Sequence, residues 1–193
     1  LRAAIQASRE ANMPKENITR AISKSEMDIS KNYENLRYEG FGPHNIALII
    51  VTLSDNKNRT ASNIRTILQK SGGRLGETGS TSHYFYVCGV LHVAKDKISD
   101  EKILELSINS GAKDCLSNSR YHEILTERED FYKIKSVIEK NIDNLLYSAI
   151  EWRPHNYLNI SKEESDSIIK ILETLEEDED VQNTFVNCNI HIN

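Results

Sequence analysis

The hydrophobic pattern of the chain changes its period near residue 33. Before that point, two runs of apolar residues recur at helical spacing: Leu1, Ala4 and Ile5, then Ile18, Ala21 and Ile22. Two helices this short do not bury a core alone, so we expect residues 1–30 to be the remnant of an N-terminal helical domain. Because the chain starts in mid-helix at Leu1 and without Met, we expect residues upstream of it to be missing.

Residues 33–93 follow the pattern of a mixed α+β unit. Residues 36–41 and the apolar run 46–53 predict two strands joined by a turn at residues 42–45. A helix is expected to begin near Thr60, which can cap it, and to stop at Gly72 and Gly73. Residues 84–87 and 90–93 then predict two short strands, interrupted by Cys88 and Gly89.

Residues 89–154 follow the β-α-β-β-α-β order of a ferredoxin-like unit. Ser99 is expected to open its first helix, Gly111 to close it, and residues 126–129 to form a capping box for the second. A further capping box at residues 161–164 predicts another helix, and residues 181–186 predict a final strand. The acidic run at residues 176–180 is interpreted as a solvated loop that would repel nucleic acid.

The net charge of −5 is unevenly distributed. Residues 1–75 hold 12 Lys and Arg against 7 Asp and Glu, whereas residues 76–193 hold 12 against 22. A basic front and an acidic back suggest that the amino-terminal part faces a polyanion. The longest apolar run is too short to span a membrane, and the three separated cysteines are interpreted as buried free thiols of a reducing compartment.

The segment from Asp55 to Ser80 is the most distinctive candidate site. Lys57, Asn58 and Arg59 offer charge and amide donors suited to phosphate and sugar contacts, although a capped turn with solvated charges explains them equally well. Further cations could extend them into a basic ridge: Arg65, Lys70 and Arg74. Four glycines follow the helix and are expected to shape an elbow, as a structural turn or as a contact loop: Gly72, Gly73, Gly76 and Gly79.

The order of this segment does not fit a nucleotide-hydrolysing loop, because the glycines come after the helix and no helix N-terminus faces a phosphate. Six scattered histidines show no metal-ligand spacing, and no Gly-x-Ser-x-Gly elbow is present. We therefore predict no catalytic residues, no metal, no cofactor and no small-molecule substrate. Tyr84 and Tyr86 could stack bases or pack in the core, and Trp152 is expected to be core.

Six segments together resemble the YebC family, bacterial regulators related to the mitochondrial translational activator of cytochrome c oxidase subunit I. They lie at residues 12–18, 38–43, 55–60, 72–80, 149–154 and 180–183. The resemblance covers essentially the whole chain. It implies an α+β fold of three domains: an N-terminal helical bundle (1–30, truncated), a middle α+β domain (31–88 and 155–193) and an inserted ferredoxin-like domain (89–154).

The resemblance also implies a function without enzymatic activity. The family is described as DNA-binding transcriptional regulators and as ribosome-acting factors that relieve stalling at proline-rich stretches. We favour the second description: a translation factor of the bacterial cytoplasm, in preference to the mitochondrial matrix, with ribosomal RNA and the ribosome as partners and no membrane. The sequence departs from the family by lacking its basic N-terminal arm and by placing His44 and Asn45 at a glycine-rich turn.

Overall fold

The computed structural model describes residues 33–190, which form an α+β fold of four helices and ten strands. The strands are β1 (Glu34–Phe41), β2 (Ala47–Ser54), β3 (Arg74–Leu75), β4 (Phe85–Ala94), β5 (Asp114–Ser117), β6 (Tyr121–Glu127), β7 (Tyr147–Pro154), β8 (Leu158–Asn159), β9 (Val181–Val186) and β10 (Cys188–Asn189). The helices are α1 (Lys57–Lys70), α2 (Asp100–Ser110), α3 (Phe131–Asn141) and α4 (Lys162–Glu176). The predicted helices of residues 1–30 lie outside the described residues.

The first sheet has the antiparallel order β3-β1-β2-β9. Strand side chains alternate between its two faces, so Leu48 and Ile50 of β2 point to one side and Ile49 to the other. Leu48 and Ile50 pack with Ile64 of α1 and Ile168 of α4 in the largest buried cluster. Helices α1 and α4 therefore cover one face of this sheet.

The second sheet has the order β5-β6-β4-β7, also antiparallel, and completes the β-α-β-β-α-β sequence. Its core joins Leu91 and Ile124 of the sheet with Ile103 of α2 and Ile134 of α3. The chain leaves the first sheet after β3, builds this entire unit and returns for β9. The predicted α+β class, with a ferredoxin-like unit inserted between strands of another sheet, is confirmed.

A third, smaller cluster joins the two sheets. Ala47 and Ile49 of β2 pack there with Phe85 of β4, and the flanking rings of Trp152 and Phe185 are only half-buried. The prediction that Trp152 belongs to the core is therefore only partly right, because one side of this junction is open to solvent. Tyr84 precedes β4 and is exposed.

The expected break at Cys88 and Gly89 is wrong, since β4 runs without interruption from Phe85 to Ala94. A domain boundary at residue 89 would fall inside this strand, and the division at residues 88/89 and 154/155 stays a prediction. Gly89 is in the strand because the ring of Phe131 and the hydroxyl of Thr126 occupy the space where a Cβ would lie.

Two predicted caps are replaced by neighbouring residues. The side chain of Asn56, not Thr60, caps α1 by accepting from the N–H of Arg59 at 3.1 Å, and Thr60 is buried. Thr126 belongs to β6, and α3 has Asp130 at its N-cap without a side-chain cap bond, so the expected capping box at residues 126–129 is wrong. The caps at Ser99, Gly111 and Ser161 are confirmed.

Cys88 and Cys188 are buried free thiols, and burial raises the pKa of each to about 11. Both thiols are therefore protonated, and unreactive as nucleophiles, at neutral pH. Cys115 is only half-buried, against expectation. In residues 33–190, no helix combines the length and apolar character needed to cross a lipid bilayer.

We expect Gly89→Ala to destabilise the protein by about 1–3 kcal/mol, because the new methyl group would overpack the centre of the second sheet. Its Cβ would lie 2.3 Å from both Phe131 Cδ2 and Thr126 Oγ1. Urea unfolding of the intact protein measures the change. Ala149→Gly, in the neighbouring strand, is the control that alters the backbone without adding volume. A stability of Gly89→Ala equal to that of the wild type would contradict this packing argument.

Candidate nucleic-acid interface

The first turn of α1 is bound to the end of the acidic run by a buried carboxylate. Asp180 accepts hydrogen bonds from the hydroxyls of Thr60 at 2.7 Å and Ser54 at 3.1 Å. The guanidinium of Arg59 lies 2.9 Å from Asp180 and 2.8 Å from Asp55. Arg59 therefore joins α1 to the segment before β9.

The charge of Asp180 is stabilised by these contacts. Burial raises the pKa of its carboxyl, but hydrogen bonds from Thr60, Arg59 and Ser54, with the charge of Arg59, outweigh that effect. The net result is a pKa below the ordinary value of an aspartate. The interpretation of residues 176–180 as a solvated loop is thus wrong at Asp180, which is 7% exposed.

The surroundings of this first turn are acidic. Asn63 donates to Asp178 at 2.9 Å, and Glu177 and Glu179 are exposed beside it. These carboxylates line an open depression together with Asp55 and Arg59. Lys57 and Asn58 are exposed at the same end of the helix. A phosphate approaching this end meets carboxylates that oppose it.

The far end of α1 has the opposite character. Arg65 and Lys70 are exposed, and within residues 33–190 neither forms an ion pair. Arg65 lies about 120° around the helix from Arg59, and Lys70 lies about 140° from Arg65, so the predicted cations do not form one continuous ridge. Arg59 is neutralised at the helix start, whereas Lys57, Arg65 and Lys70 form no ion pair within residues 33–190.

The glycine-rich loop begins where α1 ends. Gly72 has a left-handed φ of 77°, and the N–H of Gly73 donates to the carbonyl of Leu68 at 2.8 Å. A Cβ on Gly73 would lie 2.3 Å from the carbonyl oxygen of Phe41, so only glycine lets the loop approach β1 this closely. Arg74 then enters β3, with its guanidinium 4.4 Å from the centre of the Phe41 ring.

The turn between β1 and β2 lies beside this loop. His44 and Asn45 both adopt left-handed conformations, with φ values of 60° and 58°, a region that glycine adopts without steric cost. Asn45 Oδ1 accepts a hydrogen bond from Arg74 at 3.4 Å. The turn and the loop therefore present Arg74 together at the surface.

A second buried carboxylate fixes the rest of the loop. Glu39 of β1 is 2% exposed, and its Oε2 accepts from the N–H groups of Thr81 and Ser82, both at 2.8 Å. Its Oε1 lies 3.2 Å from the guanidinium of Arg37, and its carbonyl accepts from the N–H of Gly76 at 2.8 Å. The elbow predicted from Gly72, Gly73, Gly76 and Gly79 is thus a rigid loop wrapped around one side chain.

Glu39 is ionised in this position. Burial raises the pKa of its carboxyl, but backbone hydrogen bonds from Thr81, Gly79 and Ser82, with the charge of Arg37, lower it further than burial raises it. The sequence segment 38–43 gave no sign of this role, since a glutamate within a strand is usually a solvated side chain. The alternate positions of β1 on the face of Glu39 include Asn35 and Arg37, so no local pattern marks Glu39 as buried.

The comparisons with known proteins agree with this architecture. A family described as TACO1/YebC second and third domain matches residues 33–188. This chain belongs to the TACO1/YebC family. A probable transcriptional regulatory protein of Pelagibacter ubique is 51% identical over 193 residues, which are 100% of this chain and 80% of that protein. One of Zymomonas mobilis is 42% identical over 190 residues, which are 98% of this chain and 76% of that protein.

A solved structure of the same fold is a conserved hypothetical protein from Aquifex aeolicus. It is 36% identical, with a TM-score of 0.81, over 100% of this chain and 80% of that one. The names of the two relatives support a regulatory role for members of the TACO1/YebC family. No group of three or more His, Cys, Asp or Glu side chains within residues 33–190 is arranged to hold a metal ion.

Asp180→Asn is expected to remove a stabilising contribution that depends on pH. Because the folded-state pKa of Asp180 lies below its unfolded value of about 3.9, the contribution is full well above that pH and disappears as the pH falls through the folded value. The difference in unfolding free energy between wild type and variant should therefore be largest near neutral pH and should shrink below about pH 4. Urea unfolding across this range measures it; a difference that stays constant or grows in acid would show that the carboxylate charge is not responsible.

Gly73→Ala is expected to displace the glycine-rich loop and cost about 2 kcal/mol or more, because the clash is with backbone and cannot be relieved by a rotamer change. Gly72→Ala is the matched control, since nothing lies within 4 Å of its Cβ and only the left-handed φ opposes it, at about 1 kcal/mol. Thermal unfolding of both variants gives the comparison. Equal costs at the two positions would mean that the close approach to β1 does not constrain the loop.

Proposed function

We propose that this protein is a non-enzymatic regulator of gene expression that acts at the translating ribosome by binding ribosomal RNA in the bacterial cytoplasm. The proposed contact consists of Lys70 and Arg74, presented by the end of α1 and the glycine-rich loop, with Arg65 as a separate cation about 140° around the helix from Lys70. Relief of stalling at proline-rich stretches, which the family resemblance implies, is the form of regulation that we favour.

The observation that carries this proposal is the separation of charge along α1. Arg59 at the helix start is held by two carboxylates, whereas Arg65 and Lys70 form no ion pair within residues 33–190. A cation without a carboxylate partner can bind a phosphate without first giving up an ion pair. Lys57, Asn58 and Arg59, which the sequence favoured as contacts, are less suited because acidic side chains surround them.

Such contacts fix position and supply affinity without reading sequence. A factor that binds an RNA backbone in this way acts on the ribosome through the position at which it binds, and it needs no catalytic group. Binding of this kind weakens steeply with salt, because each neutralised phosphate releases counterions.

The second candidate is a DNA-binding transcriptional regulator, which the names of the two relatives favour. A recognition helix brings its N-terminal residues to the base edges of the major groove. The first turns of α2 and α4 carry acidic residues, and that of α1 lies beside the carboxylates of residues 177–179. The first turn of α3 carries none, but Glu129 and Asp130 directly precede it. Acidic first turns oppose entry into a DNA groove, so we rank this function second.

The test is cosedimentation of the intact protein with ribosomes, comparing wild type with the double variant Arg65→Glu and Lys70→Glu. We expect the double variant to lose about tenfold or more in affinity, with a shallower salt dependence, because two phosphate contacts become repulsive. The matched control is Lys133→Glu with Lys140→Glu. Those two lysines are also exposed on one helix, and Lys140, like Lys70, lies in a last helical turn.

A wild-type protein that stays off ribosomes even at low salt would end the proposal. A control variant that loses binding as strongly as the test variant would show that general charge, and not this surface, is responsible. Strong preference for one promoter over competitor DNA in a gel shift would make transcriptional regulation the leading function.

A further inference from the structure

A cleft of about 320 Å³ opens where the two sheets meet, on the side opposite to α1 and α4. On the first sheet, Arg37 lies opposite Val51, and Val51 lies opposite Asn183, so these three side chains share one face. On the second sheet, Trp152 of β7 is paired with Val87 of β4. The volume falls within the range of about 300–1,000 Å³ typical of small-ligand sites.

The chemistry of the cleft combines three features. Its aromatic walls are the half-buried rings of Trp152 and Phe185. Its polar rim offers the amides of Asn35 and Asn183, both exposed, and the guanidinium groups of Arg37 and Arg128. None of its lining residues is acidic.

We propose that this cleft binds one unpaired nucleotide of a nucleic-acid strand, with the base against Trp152, whose ring Arg37 also contacts, and the phosphate at Arg128. The indole offers a face for base stacking, which contributes about 1–3 kcal/mol per base. Side-chain amides can pair with the donor and acceptor edge of a base, and guanidinium groups bind phosphate oxygens in a bidentate manner. The inference rests on the proposed function, since it names how the bound strand is recognised away from α1.

Arg37 connects this cleft to the glycine-rich loop. Its guanidinium carbon lies 4.9 Å from the centre of the Trp152 ring, and one guanidinium nitrogen lies 3.2 Å from Glu39 Oε1. The same Glu39 carboxylate holds the loop that follows Arg74 through Thr81 and Ser82. The cleft and the loop are therefore positioned by one buried group, so a strand bound at one is held at a fixed distance from the other.

A peptide partner is the competing occupant. Apolar walls alone would suit either ligand. Arg37 is already paired with Glu39, but the charge of Arg128, with no carboxylate lining the cleft, favours a ligand that brings its own negative charge. The exposed amides of Asn35 and Asn183 suit a planar heterocycle with donors and acceptors. Arg128 forms no ion pair within residues 33–190, which leaves its charge for the ligand.

The sequence contains one tryptophan, so the fluorescence of the intact protein reports on Trp152 alone. We expect a short unstructured oligoribonucleotide to quench this fluorescence saturably, whereas an abasic strand of equal length and charge should not. Arg128→Glu and Asn183→Ala should each weaken the quenching titration by about tenfold. Arg120→Glu, an exposed arginine outside the cleft, is the matched control and should titrate like the wild type.

Circular dichroism and thermal unfolding establish whether each variant is folded. If Arg128→Glu is unstable, Asn183→Ala remains as the test variant, because it removes only an exposed amide. Titration with an oligodeoxyribonucleotide of the same sequence shows whether the site prefers RNA or DNA. Tighter binding of the RNA supports the site and the ribosomal role, and tighter binding of the DNA supports the site with the transcriptional role.

Three results would contradict the proposal that the cleft binds a nucleotide. These are equal quenching by the abasic strand, wild-type titrations for both Arg128→Glu and Asn183→Ala, or a Trp152 that acrylamide cannot reach in the free protein because another segment already fills the space. Quenching by the oligonucleotide with no ribosome binding would support the nucleotide site and contradict the proposed function. Ribosome binding that depends on Arg65 and Lys70, with no change in Trp152 fluorescence, would support the proposed function and contradict the nucleotide site.

Discussion

The buried carboxylate of Glu39 is the interaction that joins the glycine-rich loop to the cleft between the two sheets. A carboxylate removed from water is costly unless hydrogen bonds and a counter-charge replace its hydration. Thr81 and Ser82 supply the hydrogen bonds, and Arg37 supplies the charge. The group therefore orders a glycine-rich loop on one side and places a guanidinium over an indole on the other. One acidic side chain in an edge-proximal strand thus organises two surfaces that are distant in sequence.

Helix α1 shows how the same residue types take different roles according to what the fold brings to them. Arg59 and Arg65 are both arginines on one amphipathic helix, and only the first has an acidic residue, Asp55, four positions before it. The segment before β9 adds Asp180 to Arg59, whereas Arg65 forms no ion pair within residues 33–190. A cation that completes a buried network contributes to stability, and a cation left in water remains available to a polyanion.

The elements of the fold were largely predictable, because strands β1, β2 and β9 and the caps at Ser99 and Ser161 depend on local patterns. The errors have tertiary causes. Gly89 was interpreted as a break, but it allows Phe131 to pack on the sheet, a tertiary contact that no local pattern reveals. Thr60 was a reasonable cap by residue type, but its hydroxyl is used by Asp180, which follows it by 120 residues. The glycine-rich loop was recognised as a site element, whereas the roles of Glu39, Arg37 and Trp152 depend on the approach of two sheets.

The insertion into the first sheet also determines when the strands of that sheet can all pair during synthesis. Strand β2 pairs on one side with β1, which precedes it directly, and on the other with β9. Leu48 can therefore pair with Val186 only after β9 has been synthesised. Pairings between residues so far apart in the chain form late and slowly, since the loop between them must first be closed. The inserted unit, whose strands are all contiguous in sequence, can fold earlier as the nascent chain lengthens. Until β9 is synthesised, one edge of β2 stays unpaired and Arg59 lacks Asp180, so the surface at the start of α1 forms only after the inserted unit has been made.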